Sequence, residues 1–287
     1  MGIDPGALRS VAVRLASEAA EFVRHRRGTV DWTASVRTKS SATDPVTLVD
    51  TDCERLLRRR LASLRPEDAI LGEEDGESGG STSDALRAGG APQVRWVIDP
   101  IDGTVNFVYG IPAYAVSVAA QVDGVSVAGA VADVVADRVF SAASGGGATV
   151  REANGLQRPL ACNPVRETNL ALVATGFAYS TVRRERQAQL VAQLLPRVRD
   201  VRRIGSAALD LCGVAEGRVD AQYEHGLGPW DWAAGALIAR EAGAVLVLPD
   251  ANARSADGAL IAAMAPGIAD ELGQLLTDIG AMAPIPG

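Results

Sequence analysis

The stretch that most constrains the fold spans residues 96–107 and reads WVIDPIDGTVNF. Its opening apolar run ends at Asp-Pro, which is typical of a strand covered on both faces just before it leaves the sheet. Pro100 fixes its own φ angle and turns the chain, so Asp102 is expected to return beside Asp99. The sequence therefore predicts two carboxylates at the end of a buried strand.

The residues after Pro100 predict a binding place for an anion. Ile101 is expected to bury its side chain and leave its carbonyl free, while Gly103 permits a close backbone approach. If a helix begins here, the amides of Gly103 and Thr104 direct partial positive charge outward. Taken alone, Asp-Pro-x-Asp-Gly also fits an ordinary turn. The assignment therefore depends on other motifs.

Two further acidic motifs accompany this stretch. The segment Gly72-Glu73-Glu74 follows an apolar pair, and Asp231 lies in PWDWAAG at the start of a predicted amphipathic helix. The GEE, DPIDGT-N-F and WD-x-AAG elements, in this order, resemble the inositol monophosphatase family of metal-dependent sugar phosphatases. The resemblance covers nearly the whole chain and implies a mixed α/β fold, a layered α/β/α/β/α sandwich of two intimate halves.

Composition agrees with a large globular enzyme. The chain has 287 residues, of which 47% are hydrophobic, so it can bury a large core. A net charge of −7 argues against a broad basic surface for nucleic acid. The three widely spaced cysteines form no disulfide or zinc pattern, which fits the cytoplasm. Neither a signal sequence nor an apolar run of membrane-spanning length is predicted.

Local patterns predict the elements around these motifs. Thr51 and Glu54 form a capping box that would begin a helix with Thr51 as its N-cap and leave Asp50 free. Segments 113–122, 125–133 and 138–143 indicate an antiparallel meander with a two-residue turn at Asp123-Gly124. In the second half, Ser206 is a predicted N-cap of a helix that stops at Gly217.

The three glycines at 145–147 give the predicted division of the chain. Helices precede a meander on one side, while helices and short apolar strands alternate on the other. Residues 1–147 would form an α+β half that carries the GEE and DPIDGT motifs. Residues 148–287 would form an α/β half with the WD motif and the substrate pocket.

The acids of the three motifs predict a metal centre. Two like charges about 4 Å apart repel by roughly 4 kcal/mol at a protein-surface dielectric, so the acids need cations to share a pocket. An all-oxygen ligand set favours a hard ion, and Mg²⁺ is the default. The resemblance implies two to three Mg²⁺ ions. It places Glu73, Asp99 and the Ile101 carbonyl around one ion, and Asp99, Asp102 and Asp231 around a second.

The resemblance also implies the chemistry. Metal-activated water would attack phosphorus, with Thr104 orienting the water, Asp50 holding Thr104, and Glu73 also in a catalytic role. Two competing phosphatase chemistries are disfavoured. Asp50 begins a DxD pattern like that of haloacid dehalogenases, but Glu54 stands where that family has Thr or Val. Cys53 begins a C-x5-R pattern that lacks a glycine-containing, anion-binding loop.

Further residues are assigned to substrate by the same resemblance. Glu224 would accept hydrogen bonds from substrate hydroxyls, and Arg202 is a candidate that a surface or subunit-interface role explains equally well. Lys39, the only lysine in the chain, would lie in a mobile loop that closes over the metal site. The remaining predicted substrate contacts are Asp102, Gly103, Thr104, Gly205, Ser206, Ala207 and Asp231.

The sequence therefore predicts a cytoplasmic, homodimeric, Mg²⁺-dependent phosphomonoesterase that hydrolyses inositol 1-phosphate or a similar small polyol phosphate. Histidinol phosphate, a sugar bisphosphate or a nucleotide 3′-phosphate remain alternative substrates, because the metal core does not specify the leaving group. A role in binding the transcription machinery is a second alternative, since some bacterial relatives have one. Its expected contacts are Arg183, Arg184 and Arg186. No membrane or direct nucleic-acid partner is expected.

Overall fold

A computed structural model of the chain describes residues 3–29, 37–38, 45–79, 93–250 and 253–287. Within these ranges the first part of the chain is mostly sheet, flanked by helices. Its helices are α1 (Pro5–Thr29), α2 (Leu48–Leu64) and α3 (Thr104–Tyr109). Its strands are β1 (Arg37–Thr38), β2 (Pro45–Val46), β3 (Ala69–Gly72), β4 (Gly76–Gly79), β5 (Val94–Asp102), β6 (Ala115–Val122), β7 (Val125–Asp133), β8 (Arg138–Ala143), β9 (Ala148–Arg151) and β10 (Gln157–Pro159).

In the second part of the chain, helices alternate with short strands. Its helices are α4 (Thr181–Leu194), α5 (Ala207–Glu216), α6 (Pro229–Glu241) and α7 (Ala269–Asp278). Its strands are β11 (Leu172–Thr175), β12 (Asp200–Arg202), β13 (Ala221–His225), β14 (Val245–Val247) and β15 (Leu260–Met264). Short 3₁₀ turns cover Thr168–Leu170, Leu195–Arg197 and Ser255–Asp257.

Two large sheets organise the described residues. The first has the order β10-β9-β8-β7-β6-β5-β3-β4, and its neighbours pair antiparallel except for β3 with β5. The second has the order β12-β11-β13-β15-β14, with β12, β11 and β13 parallel. Helices α5 and α6 pack between the sheets, α1 and α2 cover the outer face of the first, and α4 and α7 cover the outer face of the second. These five layers confirm the predicted mixed α/β sandwich.

Strand β5 carries the central motif and is buried along nearly its whole length. Its pairing with β6 shifts register between Asp99 and Asp102, where Pro100 has no amide to donate. Both carboxylates consequently face one cavity. The chain then enters α3 through Gly103, whose φ of 96° favours glycine.

Several predicted boundaries are confirmed. Strands β7 and β8 match their predicted ranges, and the turn before β7 has positive φ at Asp123 (51°) and Gly124 (80°), as a type I′ hairpin requires. Ser206 caps α5 by accepting a hydrogen bond from the amide of Leu209 at 3.3 Å, and Gly217 ends the helix at φ 74°.

The predicted start of α2 is wrong. The helix begins at Leu48, and Thr47 is the N-cap, whose hydroxyl accepts from the amide of Val49 at 3.1 Å. Asp50 completes this capping box by accepting a hydrogen bond from the amide of Thr47 at 3.0 Å. The prediction that Thr51 caps the helix and leaves Asp50 free is therefore wrong. Two overlapping boxes exist in the sequence, and the earlier one buries Val49 in the core.

The predicted division at 145–147 lies within the first sheet. Strands β9 and β10 follow the glycines and extend that sheet to Pro159, so the change of sheet comes after this residue. The division into two intimate halves, residues 1–147 and 148–287, stays a prediction.

Lys39 lies outside the described residues, so its predicted loop is a proposal only. Among the helices that the structure describes, none combines the length and the apolar character needed to cross a bilayer.

Candidate active site

A cavity of about 640 Å³ opens where β5, β13 and the beginnings of α5 and α6 meet. It brings together most of the residues that the motifs predicted. The predicted residues in its lining are Glu73, Asp99, Ile101, Asp102, Gly103, Thr104, Gly205, Ser206, Ala207, Glu224 and Asp231. The three acidic motifs, far apart in sequence, therefore share one site.

Asp99 is the innermost acid of this cavity and is fully buried. Its Oδ1 accepts a hydrogen bond from the amide of Ile101 at 2.9 Å, whereas its Oδ2 has no hydrogen-bond partner among the described residues. Burial, followed by the charges of Glu73, Asp102 and Asp231, raises the pKa of Asp99 well above its ordinary value. An orphaned, buried carboxylate oxygen beside other acids suits a cation ligand.

Asp102 is held by the N-terminus of α5. Its Oδ2 accepts from the Ser206 hydroxyl at 2.5 Å and from the Ala208 amide at 2.7 Å. Burial raises the pKa of Asp102 to about 6 even though these hydrogen bonds act in the opposite direction. Because both bonds use Oδ2, Oδ1 remains for a cation.

Asp231 lies in the first turn of α6 and accepts a hydrogen bond from the amide of Gly228 at 2.6 Å through Oδ2. Burial, then Asp102 and Glu73, raises its pKa well above the ordinary value. One oxygen from each of Asp99, Asp102 and Asp231 lies within 4.8 Å of the others. Three clustered carboxylates, those of Asp99 and Asp102 buried and that of Asp231 half-buried, fit hard divalent cations.

The loop that carries Glu73 is fixed from α2. Glu54 is fully buried, and its carboxylate accepts from the amides of Glu74 at 2.8 Å and Asp75 at 3.0 Å. A Cβ at Gly72 would lie 2.3 Å from Glu54 Oε1, so a larger residue there would displace the Glu54 carboxylate. Glu54 thus positions the GEE loop rather than completing the predicted capping box at Thr51.

Thr104 joins α3 to α2 beneath the cavity. Its hydroxyl lies 3.1 Å from Asp50 Oδ1 and 3.0 Å from the Ile101 carbonyl, and Asp50 is fully buried. The predicted pairing of Asp50 with Thr104 is therefore present. The Ile101 carbonyl, expected to be free, is within hydrogen-bond reach of this hydroxyl, with a second lone pair left for a cation.

Glu224 on β13 also lines the cavity. Its carboxylate lies so close to Gly176 that a Cβ there would be 2.1 Å from Oε2. Burial raises the pKa of Glu224 to about 8, with Arg203 lowering it and Asp102 raising it. In either protonation state its carboxyl oxygens can accept hydrogen bonds from the hydroxyls of a ligand.

Arg202 is not brought into the site. It is exposed, and its Nη1 donates to Asp200 Oδ2 at 2.5 Å, whereas its neighbour Arg203 lines the cavity. Successive side chains of an extended segment point in opposite directions. Because Arg202 and Arg203 are adjacent residues of the same type, the sequence does not indicate which of them faces the cavity.

Arg183 is also placed differently from the prediction. It is buried, and it donates to the carbonyls of Ile285 at 2.6 Å, Ser255 at 2.9 Å and Ala256 at 3.1 Å. Arg183 therefore ties the last residues of the chain to the far wall of the cavity and cannot serve as the predicted surface contact. Arg184 is exposed.

The layered fold and its cluster of acids that could hold metal are those of a phosphatase family. The chain belongs to the inositol monophosphatase family, whose model matches residues 4–279. This confirms the family predicted from the three acidic motifs.

Named relatives agree with this family. An inositol-1-monophosphatase of Mycobacterium leprae is 62% identical, covering 98% of this chain and 97% of the relative. A protein of Escherichia coli K12 named Nus factor SuhB is 36% identical, covering 83% of each chain. The solved structure of Mycobacterium tuberculosis SuhB superposes with a TM-score of 0.82 at 55% identity, covering 98% of this chain and 100% of that one.

Proposed function

We propose that this phosphatase hydrolyses inositol 1-phosphate, or a similar small polyol phosphate, in a Mg²⁺-dependent reaction. The observation that carries the proposal is one cavity that is lined by three clustered carboxylates and by Glu224. The three carboxylates suit metal and phosphate, and Glu224 suits a hydroxylated alcohol. The relative named inositol-1-monophosphatase supports the same substrate.

The proposed metal ligands are those of the sequence motifs. Glu73, Asp99 and the Ile101 carbonyl would hold one Mg²⁺, while Asp99, Asp102 and Asp231 would hold a second. Two to three ions are proposed, with Lys39 helping to order a loop over them. When bound, such ions offset the charge of the acids and stabilise the attacking and leaving oxygens of an in-line displacement.

The chain's own groups position the reactants. Thr104 has one hydroxyl proton, which it donates to Asp50 or to the Ile101 carbonyl. Its Oγ1 can then accept a hydrogen bond from the attacking water and orient that water towards phosphorus. No protein nucleophile is required. Gly103 and the segment formed by Gly205, Ser206 and Ala207 are proposed to contact the substrate.

A substrate panel tests the proposal. Inositol 1-phosphate, histidinol phosphate, a sugar bisphosphate and a nucleotide 3′-phosphate would be assayed with Mg²⁺ and with EDTA. We expect Mg²⁺-dependent release of phosphate, fastest from inositol 1-phosphate. A higher kcat/KM for one of the other esters would replace the proposed substrate, and full activity in EDTA would exclude the mechanism.

Glu224 provides a sharper prediction about selectivity. Glu224→Gln should lower kcat/KM for inositol 1-phosphate by about tenfold or more, since the amide replaces one of the two acceptor oxygens by a donor. Hydrolysis of propyl phosphate, whose alcohol part carries no free hydroxyl, should change much less. Asp278→Asn, an exposed change on α7, is the control for net charge. Equal losses on both esters would remove Glu224 from the substrate pocket.

The relative named Nus factor SuhB favours a second candidate function, contact with the transcription machinery. The exposed Arg184 is available for such a contact. An Asp99→Asn protein separates the two functions in cells, because it removes a proposed metal ligand and leaves the surface unchanged. Loss of a cellular phenotype supports the enzyme, whereas persistence supports the binding role.

We further propose that the protein is a cytoplasmic homodimer.

A further inference from the structure

Asp210 is a buried acid of the cavity that neither the metal set nor the motifs explain. It lies in the first turn of α5, is only 3% exposed, and lines the cavity. No described residue donates a hydrogen bond to its carboxylate, whereas the neighbouring Asp102 accepts two. An acceptor that faces a cavity without a donor from the protein can accept a hydrogen bond from a bound ligand.

Asp210 interacts electrostatically with acids of both proposed parts of the site. Its pKa is raised well above the ordinary value by burial, then by Glu224 and Asp102, and is lowered by Arg203. Asp210 therefore interacts with Glu224, the proposed acceptor for substrate hydroxyls, and with Asp102, a proposed metal ligand. Arg203 lines the same cavity and forms no ion pair with the described residues. Its cation balances the acids without occupying their oxygens.

Two carboxylates on different elements give the cavity a specific chemistry. Glu224 projects from β13 and Asp210 from α5, so they approach a ligand from two layers. A carboxyl group can accept hydrogen bonds whether or not it is ionised, and an alcohol with several hydroxyls offers several donors. A ligand without hydroxyls would leave both acids without a hydrogen-bond donor. Sites of this kind discriminate strongly against such a ligand.

We propose that Asp210 is a second specificity-determining residue. Its carboxyl group accepts a hydrogen bond from one substrate hydroxyl, and Glu224 accepts from another. This inference rests on the proposed phosphatase function and narrows its substrate class to esters of alcohols with several free hydroxyls.

The test uses Asp210→Asn and Asp210→Ala, with Asp278→Asn as the charge-matched control. Each protein would be assayed with saturating Mg²⁺ on inositol 1-phosphate and on propyl phosphate, glycerol 1-phosphate and sorbitol 6-phosphate. We expect Asp210→Ala to raise KM for the polyol esters by about tenfold or more, with a small change in kcat and in propyl phosphate hydrolysis. Asp210→Asn, which keeps one acceptor, should show a smaller loss. Melting temperatures show whether each variant is folded.

The outcomes separate the two proposals. Equal losses on propyl phosphate and on the polyol esters, or no loss at all, would make Asp210 a structural acid and overturn the inference. If the unmodified enzyme does not hydrolyse inositol 1-phosphate, the proposed substrate is wrong. The rates on the three other esters still test the role of Asp210. A preference for hydroxylated esters that Asp210→Ala removes supports the inference, and an unmodified enzyme without such a preference contradicts it.

Discussion

Replacing Asp99 by asparagine should lower phosphatase activity by about a thousandfold or more, because bound metal contributes several kcal/mol to the transition state and each 1.36 kcal/mol is a factor of ten. Asp99 is the acid shared by both proposed metal positions. Its Oδ2 has no hydrogen-bond partner in the described part of the chain and is therefore available to a cation. Initial rates over a Mg²⁺ titration check the prediction.

The same variant should be at least as stable as the parent protein in EDTA. Without metal, Asp99 is a fully buried acid whose pKa is raised by burial and by Glu73, Asp102 and Asp231. The neutral amide removes this like-charge repulsion. Added Mg²⁺ should then raise the melting temperature of the variant much less than that of the parent, since a ligand stabilises only the state that binds it.

Asp220 offers a matched control for this experiment. It is also a buried acid, but its carboxylate accepts from the amide of Leu172 at 2.7 Å and from Asn163 Nδ2 at 3.0 Å. Asp220→Asn should therefore lower the melting temperature in EDTA and keep the response to Mg²⁺. An Asp99→Asn enzyme with normal activity and a normal Mg²⁺ response would exclude Asp99 from the metal site.

The sequence was informative where chemistry and local backbone geometry coincide. The apolar run before Asp99 predicted a buried strand, and Pro100 and Gly103 predicted the turn that brings two acids together. The helix from Ser206 to Gly217 was also predictable, because its two ends carry residues with strong positional preferences. These signals depend on residues close in sequence.

The sequence was ambiguous where local signals overlap. Two capping boxes compete within a few residues, and the choice of Thr47 over Thr51 depends on burying Val49 in the core. Glu54 does not take part in a helix cap. Its carboxylate instead accepts hydrogen bonds from the amides of Glu74 and Asp75. No local pattern specifies a contact with a loop twenty residues away.

Residues that act through tertiary contacts were missed. Arg203, Asp210 and Arg183 all line the cavity, yet each lies in a segment without a distinctive motif. Their roles depend on which face of an element turns inward, and that is decided by packing between the two sheets. The polar residue within the predominantly apolar first turn of α5 was the one available signal for Asp210.

Thr104 carries the other prediction with a large expected effect. Thr104→Val keeps the shape of the side chain but removes the hydroxyl that lies 3.1 Å from Asp50 and 3.0 Å from the Ile101 carbonyl. We expect kcat to fall by about 10²- to 10⁴-fold, the usual contribution of a positioned proton acceptor or donor. Thr104→Ser, which restores the hydroxyl, should recover most of the activity.

The pairing with Asp50 makes this prediction specific. If Asp50 acts by orienting the Thr104 hydroxyl, Asp50→Asn should also lower kcat, and the double variant with Thr104→Val should lose little more than Thr104→Val alone, because residues that act as a unit are not additive. Asp50 also accepts a hydrogen bond from the Thr47 amide, so melting temperatures are needed to separate a weakened α2 cap from lost catalysis. Independent, multiplying losses would show that the two residues act separately, and a fully active Thr104→Val enzyme would remove the hydroxyl from the mechanism.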